Sequence, residues 1–358
     1  MTRTTIIFDD EDHAAPSSLP GVEARADVLH VVDAVRSALV SLGHAVAVQP
    51  VGADFLGALS AIREDAPDAV FNLCESLGGD ARGEGVVVGV LEQMGMAVTG
   101  SPALALGLAL HKDQAKAILR GCGIPTPDWT FLPEDSPELA SPPGYPVIVK
   151  PAREDGSIGI GFGSVASDDE GLRQAVQRVW RMHQPALVER FVDGREFCVS
   201  FLGNEPRIVL PLREIAFGPS FADRPRIISY LAKWDPSTSE FHDTSSGACD
   251  LPPEVQSRMV DYARRTFAVV GCRDYGRVDI RLDADGTPWC IDINPNCDLH
   301  PDAGYARAAL SAGIDYPSLV ATLLENALDR ARARARAPHR PTDRAEPRRS
   351  AGSIAPAH

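Results

Sequence analysis

Tyr275-Gly-Arg277-Val-Asp279-Ile-Arg281-Leu-Asp-Ala-Asp285-Gly286-Thr-Pro-Trp289-Cys290-Ile-Asp292-Ile-Asn294 reads as two alternating strands around an Asp-Gly turn. One face carries Val278, Ile280, Leu282, Trp289, Ile291 and Ile293 and is apolar. The other carries Arg277, Asp279, Arg281, Cys290, Asp292 and Asn294. A two-residue turn sets Asp279 opposite Asp292 and Arg277 opposite Asn294, and side chains of period two keep all four on one face. Facing carboxylates repel unless a cation lies between them. With an amide oxygen one step along, they form a hard-oxygen set suited to Mg²⁺ shared with phosphates. The plainer reading is a solvated face on which Arg277 and Arg281 neutralise the acids.

Outward from the hairpin, the N-terminal third alternates strand and helix. Thr4–Phe8, Ala45–Val48 and Asp68–Leu73 are predicted strands, with helices over 24–42 and through Ala58 and Ile62. That alternation predicts an open, mostly parallel sheet. Helices follow over Gly83–Gly95 and Leu104–Arg120, the latter opened by a Ser101 cap and Pro102. Short strands are expected at Pro146–Lys150, Ala186–Val192, Glu196–Leu202 and Arg207–Leu212, with helices at Asp168–Arg181 and Pro253–Val270. Residues 213–250 read as an irregular, mobile loop region. A last helix, Leu319–Arg336, runs into an Arg/Pro/Ala tail expected to be disordered.

Two further segments carry chemistry. Lys150 closes a buried strand and precedes a glycine-rich turn, Gly156-Ser157-Ile-Gly159-Ile-Gly161-Phe-Gly163. An ammonium beside clustered backbone N–H groups suits a phosphate chain. Neither a P-loop nor G-x-G-x-x-G is present, and a flexible turn is the competing reading. In Glu189-Arg190-Phe-Val192-Asp-Gly-Arg-Glu196, a strand ends on one acid and a second follows seven residues later, a spacing that could meet an adenine edge and a ribose diol.

Composition narrows the function. The net charge is −14, and the +5 of the Arg-rich stretch after 328 leaves about −19 for the rest, which excludes general nucleic-acid binding. No uncharged run reaches the roughly 18 apolar residues of a membrane helix, and no signal peptide is legible at the N-terminus. Seven cysteines without a C-x-x-C pair fit reduced thiols, hence a cytoplasmic location. Only Lys112, Lys116, Lys150 and Lys233 are lysines in an otherwise Arg-rich chain; lysine kept where a compact ammonium matters points at three of them, Lys112, Lys150 and Lys233.

In this order the segments Gly100-Ser-Pro, His111-Lys112-Asp113, Val147 to Gly159, Val188 to Phe197, Gly276 to Asp279 and Asp292 to Pro295 resemble the ATP-grasp superfamily, and within it the D-alanine–D-alanine ligase branch. The resemblance implies an α/β (α+β) ATP-grasp fold. A parallel N-terminal domain would span 1–101, a central subdomain 102–192, a C-terminal antiparallel subdomain 193–330 and the tail 331–358. It implies a ligase that phosphorylates a carboxylate with ATP and joins the acyl phosphate to an amine, using Mg²⁺ (two ions, or Mn²⁺ instead).

By motif position, Lys112 and Lys150 resemble phosphate contacts. Glu189, Arg190 and Val192 resemble the adenine hinge, and Glu196 the ribose acid. Asp279, Asp292 and Asn294 resemble metal ligands, and Arg277, Lys233 and Ser157 catalytic residues. Small amino-acid-like substrates are implied, with no nucleic acid or membrane partner; many ligases of this branch are homodimers. The amino-acid pockets depart from the branch. Residues 8–20 lack its glycine-rich first loop, and Cys74-Glu75 replaces His-Gly. Gly156 replaces a serine, Trp234 a tyrosine, and Asp292 a glutamate. The stretch Asn296–Tyr305 is also rewritten. Glu75, Arg82, His300 and Asp302 are therefore the candidate substrate contacts, and the departures speak against a D-alanine–D-alanine ligase proper. A non-catalytic ATP binder is the other alternative, against which the retained Arg277, Asp279 and Asn294 argue.

Overall fold

The computed structural model describes residues 1–9, 28–136 and 141–336. Three sheets organise it. The first, in the order β2-β1-β3, is parallel throughout and comprises β1 (Arg3–Asp9), β2 (Ala45–Val51) and β3 (Ala69–Asn72). Helices α1 (Val28–Ser41), α2 (Phe55–Asp65) and α3 (Glu84–Gln93) surround it, as the alternation predicts.

The helix expected over 104–120 is two helices, α4 (Ala103–Leu110) and α5 (Lys112–Gly121). His111 breaks them at φ −82, ψ 78, with its Nδ1 2.8 Å from Gly107 O. Ser101 does not cap α4; its hydroxyl bonds Arg273 O instead. The break places Lys112 in the first turn of α5, where it can turn inward.

The second sheet is antiparallel, in the order β4-β7-β5-β6, with β4 (Trp129–Leu132), β5 (Val147–Pro151), β6 (Val165–Ala166) and β7 (Ala186–Arg190). Helix α6 (Asp169–Trp180), capped by Asp168, covers one side. Val147, Val149, Ala186 and Val188 pack against Leu172, Val176 and Val179 there. The pleat therefore turns Ile148, Lys150, Leu187 and Glu189 to the opposite side.

The third sheet, also antiparallel, comprises β8 (Arg195–Leu202), β9 (Ile208–Val209), β10 (Arg213–Phe217), β11 (Thr244–Ala248), β12 (Tyr275–Leu282) and β13 (Pro288–Asn294). Residues 213–250 are thus not an irregular loop. Their two strands extend the sheet beyond β8, and between them lie α7 (Tyr230–Trp234) and α8 (Ser239–His242). Polar and small residues dominate β11, so alternation gave no strand signal there. Helix α9 (Pro253–Val270) backs the sheet, burying Met259, Ala263 and Phe267 against Phe197, Val199, Val278, Ile280 and Ile293.

The chain then returns to the first sheet. Helices α10 (Gly304–Ser311) and α11 (Tyr316–Arg336) bring Leu319, Leu323, Leu324 and Leu328 into one core with Ile6, Val35, Leu39 and Phe71. The C-terminal helix therefore packs on the N-terminal layer, in a core that also takes in Leu202 and Tyr275 of the third sheet. It continues through Arg336, six residues into the stretch read as tail; the rest of that stretch lies outside the described residues, as does most of the 8–20 segment.

In the hairpin, Asp279 pairs with Asp292 and Arg277 with Asn294. Two deviations from the expected hairpin cancel: Leu282 pairs with Pro288, which leaves a three-residue turn, Ala284–Gly286, in place of two, and a bulge at Ile291 restores the register. Between turn and bulge the faces are exchanged. Cys290 lies in the core and Trp289 on the polar side, where its Nε1 donates to Asp283 at 2.8 Å.

Gly276 opens β12 at φ +155, and a Cβ there would stand 2.7 Å from Phe267 Cε2 and 2.9 Å from Asn294 O. Gly276→Ala should lower unfolding free energy by about 1–3 kcal/mol, measured by urea denaturation; an unchanged midpoint would contradict the packing described.

Candidate active site

The cleft-facing sides of the second and third sheets hold four acids, each matched to a cation, in three cases from another element. On β12, Arg277 Nε and Nη2 lie 2.6 and 2.9 Å from Asp279, and Asn294 Nδ2 donates to the same carboxylate at 3.0 Å. Asp292 receives Lys112 Nζ at 3.2 Å, and the same ammonium meets Asp155 of the glycine-rich turn at 2.8 Å. Burial opposes the charge on Lys112, but Asp155 and Asp292 outweigh it and hold the ammonium above the ordinary lysine range. Burial likewise pushes Asp292 up, and Lys112 with Lys150 reverses this, leaving its carboxyl below the usual range.

Glu189, 2% exposed, sits between Lys116 Nζ at 2.8 Å and Lys150 Nζ at 3.2 Å. Lys116 also donates to Thr126 Oγ1 at 2.6 Å. It was missing from the expected site, although its spacing of four from Lys112 puts both on one face of α5. Glu196 is held by Arg281, another residue not singled out, through Nε at 2.9 Å and Nη2 at 2.8 Å.

At the hinge after β7, Arg190 N–H donates to Asp128 O and Phe191 N–H to Pro146 O. The next N–H, that of Val192, meets no backbone acceptor among the described residues. The Arg190 side chain turns away and lies 4.5 Å over Trp289.

The glycine-rich turn is built from left-handed residues, Gly156 (φ +62), Ser157 (φ +62) and Gly159 (φ +76). A Cβ at Gly159 would stand 2.8 Å from both Met182 Sδ and Pro151 Cγ, so only glycine fits there. Trp234 Nε1 clasps the turn through Gly156 O at 2.8 Å, and the Lys233 ammonium lies over the indole ring. Tryptophan at this position therefore joins α7 to the phosphate-type loop.

The four candidate substrate contacts divide. Glu75 borders the cleft. Its side chain is exposed to solvent at one side. Burial of its other side first, then Asp9, Asp298 and Asp155, push its carboxyl up to about 8 against the pull of Lys233. Arg82 is exposed and spends its guanidinium on Asp80 at 2.6 Å. His300 and Asp302 make turn contacts ahead of α10: His300 Nδ1 accepts Asp302 N–H at 3.1 Å, and His300 N–H donates to Asp298 at 2.7 Å. The acid that acts on Glu75 from this stretch is Asp298.

Two carboxylates facing across β12 and β13, beside an amide whose nitrogen is already bonded, leave oxygens as the donor atoms, which fits a hard divalent ion. No group of three His, Cys, Asp or Glu forms a metal cluster among the described residues, so the amide oxygen of Asn294 is needed to complete such a set.

An ATP-type cleft between two antiparallel sheets, lined by lysines and ending on paired carboxylates, defines a nucleotide-dependent ligase architecture, and the comparisons agree. The model of the D-ala D-ala ligase C-terminus matches residues 118–325. A D-alanine–D-alanine ligase of Chromohalobacter salexigens is 33% identical over 82% of this chain and 87% of its own length. The protein y4sG of Sinorhizobium fredii is 33% identical over 82% of this chain and 86% of its own. The ATP-complexed D-alanine–D-alanine ligase of Bacillus anthracis superposes with a TM-score of 0.73 at 21% identity, covering 93% of this chain and all of that one. The chain belongs to the D-alanine–D-alanine ligase family, enzymes of the ATP-grasp fold that form C–N bonds.

An acid with a folded pKa above its unfolded value stabilises the fold fully below the ordinary carboxylate range. That contribution is lost as pH rises through about 8 for Glu75. The melting temperature of Glu75→Gln, relative to the parent, should therefore climb between pH 5 and pH 9. A flat or falling difference in a thermal-melt series would remove the charge crowding assigned to this residue.

Proposed function

We propose that the protein is a cytoplasmic ATP- and Mg²⁺-dependent carboxylate–amine ligase acting on small amino-acid-like substrates through an acyl phosphate. The observation that carries this reading is Arg277 bonded to Asp279 directly across from Asp292 and Asn294. A protein that only binds nucleotide has no use for a guanidinium beside its metal ligands. A carboxylate is a poor acyl donor because oxide would have to leave. Phosphorylation supplies a leaving group, and its charge must be neutralised during transfer.

Asp279, Asp292 and the Asn294 amide oxygen would hold the metal, which when bound neutralises the terminal phosphates. Lys112 and Lys150 line the phosphate path, with the glycine-rich turn and Ser157 above it. Val192 offers its N–H to the adenine edge, and Glu196 a carboxylate oxygen to the ribose. Arg277 and Lys233 steady the transferred phosphoryl group and then the oxyanion formed when the amine attacks. Beyond them the cleft is acidic at Glu75, with Asp298 and Asp155 acting on it. An amino-acid substrate would therefore lie with its carboxylate toward Arg277 and Lys233 and its ammonium toward the acids around Glu75, where its charge favours the ionised form of that carboxyl.

A D-alanine–D-alanine ligase proper is the second reading, supported by the names of the relatives. Phosphate release from ATP and Mg²⁺, measured against a panel of D- and L-amino acids, hydroxy acids and amines, separates the two. Release confined to D-alanine supports the second, whereas release with other acceptors supports a wider ligase. Nucleotide binding without acceptor-dependent release would overturn both. Asp279→Asn should lower turnover by at least about a hundredfold while unfolding stays cooperative; full activity would remove the metal assignment.

A further inference from the structure

We propose that Arg281 is a positioning residue that aims Glu196 at the nucleotide ribose and fixes its distance from the adenine hinge. The proposal rests on Glu196 being the ribose acid. The Arg281 side chain is 4% exposed, and its fork is used on three elements at once. Nε and Nη2 both go to Glu196 Oε2 on β8, at 2.9 and 2.8 Å. Nη1 donates to Val192 O in the hinge at 2.8 Å, and Nη2 also reaches Arg226 O in the segment ahead of α7. The guanidinium lies 5.0 Å from the ring of Phe191, the hinge residue before Val192.

A guanidinium is planar and rigid, so these bonds set the Glu196 carboxylate and the hinge at one fixed separation. In a nucleotide the separation of base and ribose is equally fixed, by covalent bonds. A site that holds its two contact points at a matching distance gains affinity without ordering them on binding. Both Arg281 bonds to the acid fall on Oε2, which leaves the Oε1 lone pairs for a ribose hydroxyl. Without Arg281, Glu196 is a buried carboxylate lacking its counter-charge, and it must turn toward another partner or take up a proton. Either change spoils its reading of the ribose, while the hinge can still hold the base and the lysines the phosphates.

The test is the dissociation constant, by titration calorimetry, of ATP, 2′-deoxyATP and 3′-deoxyATP for the full chain and for Glu196→Gln, Arg281→Met and the double variant. The parent should bind at least one deoxy analogue about tenfold or more weaker than ATP, as expected for a lost hydrogen bond to a charged group. Glu196→Gln and Arg281→Met should each bring that ratio to within about threefold of unity. The double variant should change it no further, because both act on one contact.

A parent ratio near one, or a ratio kept by Glu196→Gln, overturns the ribose reading and the proposal with it. A ratio lost in Glu196→Gln but kept in Arg281→Met, with all three nucleotides weakened equally, overturns the proposal alone and leaves Arg281 a packing residue. Should Arg281→Met fail to melt cooperatively, Arg281→Lys takes its place. A single ammonium cannot hold Glu196, Val192 and Arg226 together, so the same collapse is expected, and an unchanged ratio overturns the proposal.

Discussion

Compensation of buried acids by cations from other elements is the constraint on which this cleft depends. Glu189, Glu196 and Asp279 are all at least nine-tenths buried, and a buried carboxylate without a counter-charge costs several kcal/mol. Arg277 answers Asp279 from the same strand, but Lys112 reaches Asp292 from α5, Lys116 reaches Glu189 from the same helix, and Arg281 reaches Glu196 from the neighbouring strand. Helix α5 thus supplies charge to both sheets, and its start at Lys112 depends on the break at His111. Had α4 continued without that break, Lys112 and Lys116 would have pointed in other directions, leaving Asp292 without its ion pair and Glu189 with Lys150 alone.

The hairpin shows what alternation can and cannot reveal. The faces of residues 277–282 and 292–294 follow from period two alone, since Val278, Ile280 and Ile293 needed a core. The pairing of Asp279 with Asp292 was legible only because the one-residue register shift of a three-residue turn and the bulge at Ile291 offset each other. Trp289 and Cys290, lying between the two, read wrongly. A large apolar ring looks like core in a sequence, but here Arg190 stacks on it and Asp283 takes its N–H, so it is satisfied at the polar face.

Long-range partners were the least legible. The lysines stood out by their rarity, yet the role of Lys116 appears only once β7 brings Glu189 beside it. Arg281 looked like a neutralising surface charge, and nothing in the sequence distinguishes it from an exposed arginine. Its burial comes from the hinge and the segment at Arg226 folding over it, contacts that span 89 and 55 residues. The strands of 213–250 were hidden for a different reason: an edge strand such as Thr244–Ala248 is held by backbone pairing to β10 and has little apolar pattern to show.

Family membership and substrate choice rest on different parts of the molecule. Phosphoryl transfer demands cations and paired carboxylates in one arrangement whatever the acyl group is, so the residues from Lys112 to Asn294 can keep the family pattern while the far end of the cleft changes. That far end is built from the Cys74–Ser76 stretch and the loop after Asn294. Asn296 joins them, donating to Cys74 O at 2.9 Å and to Glu84 at 2.8 Å, while Tyr275 O–H donates to its amide oxygen. One amide therefore ties the first sheet to the end of the metal-type strand. The Cys74 stretch and the chain leaving β13 are therefore held to one another by a single side chain, so a change of shape in either is felt by the other.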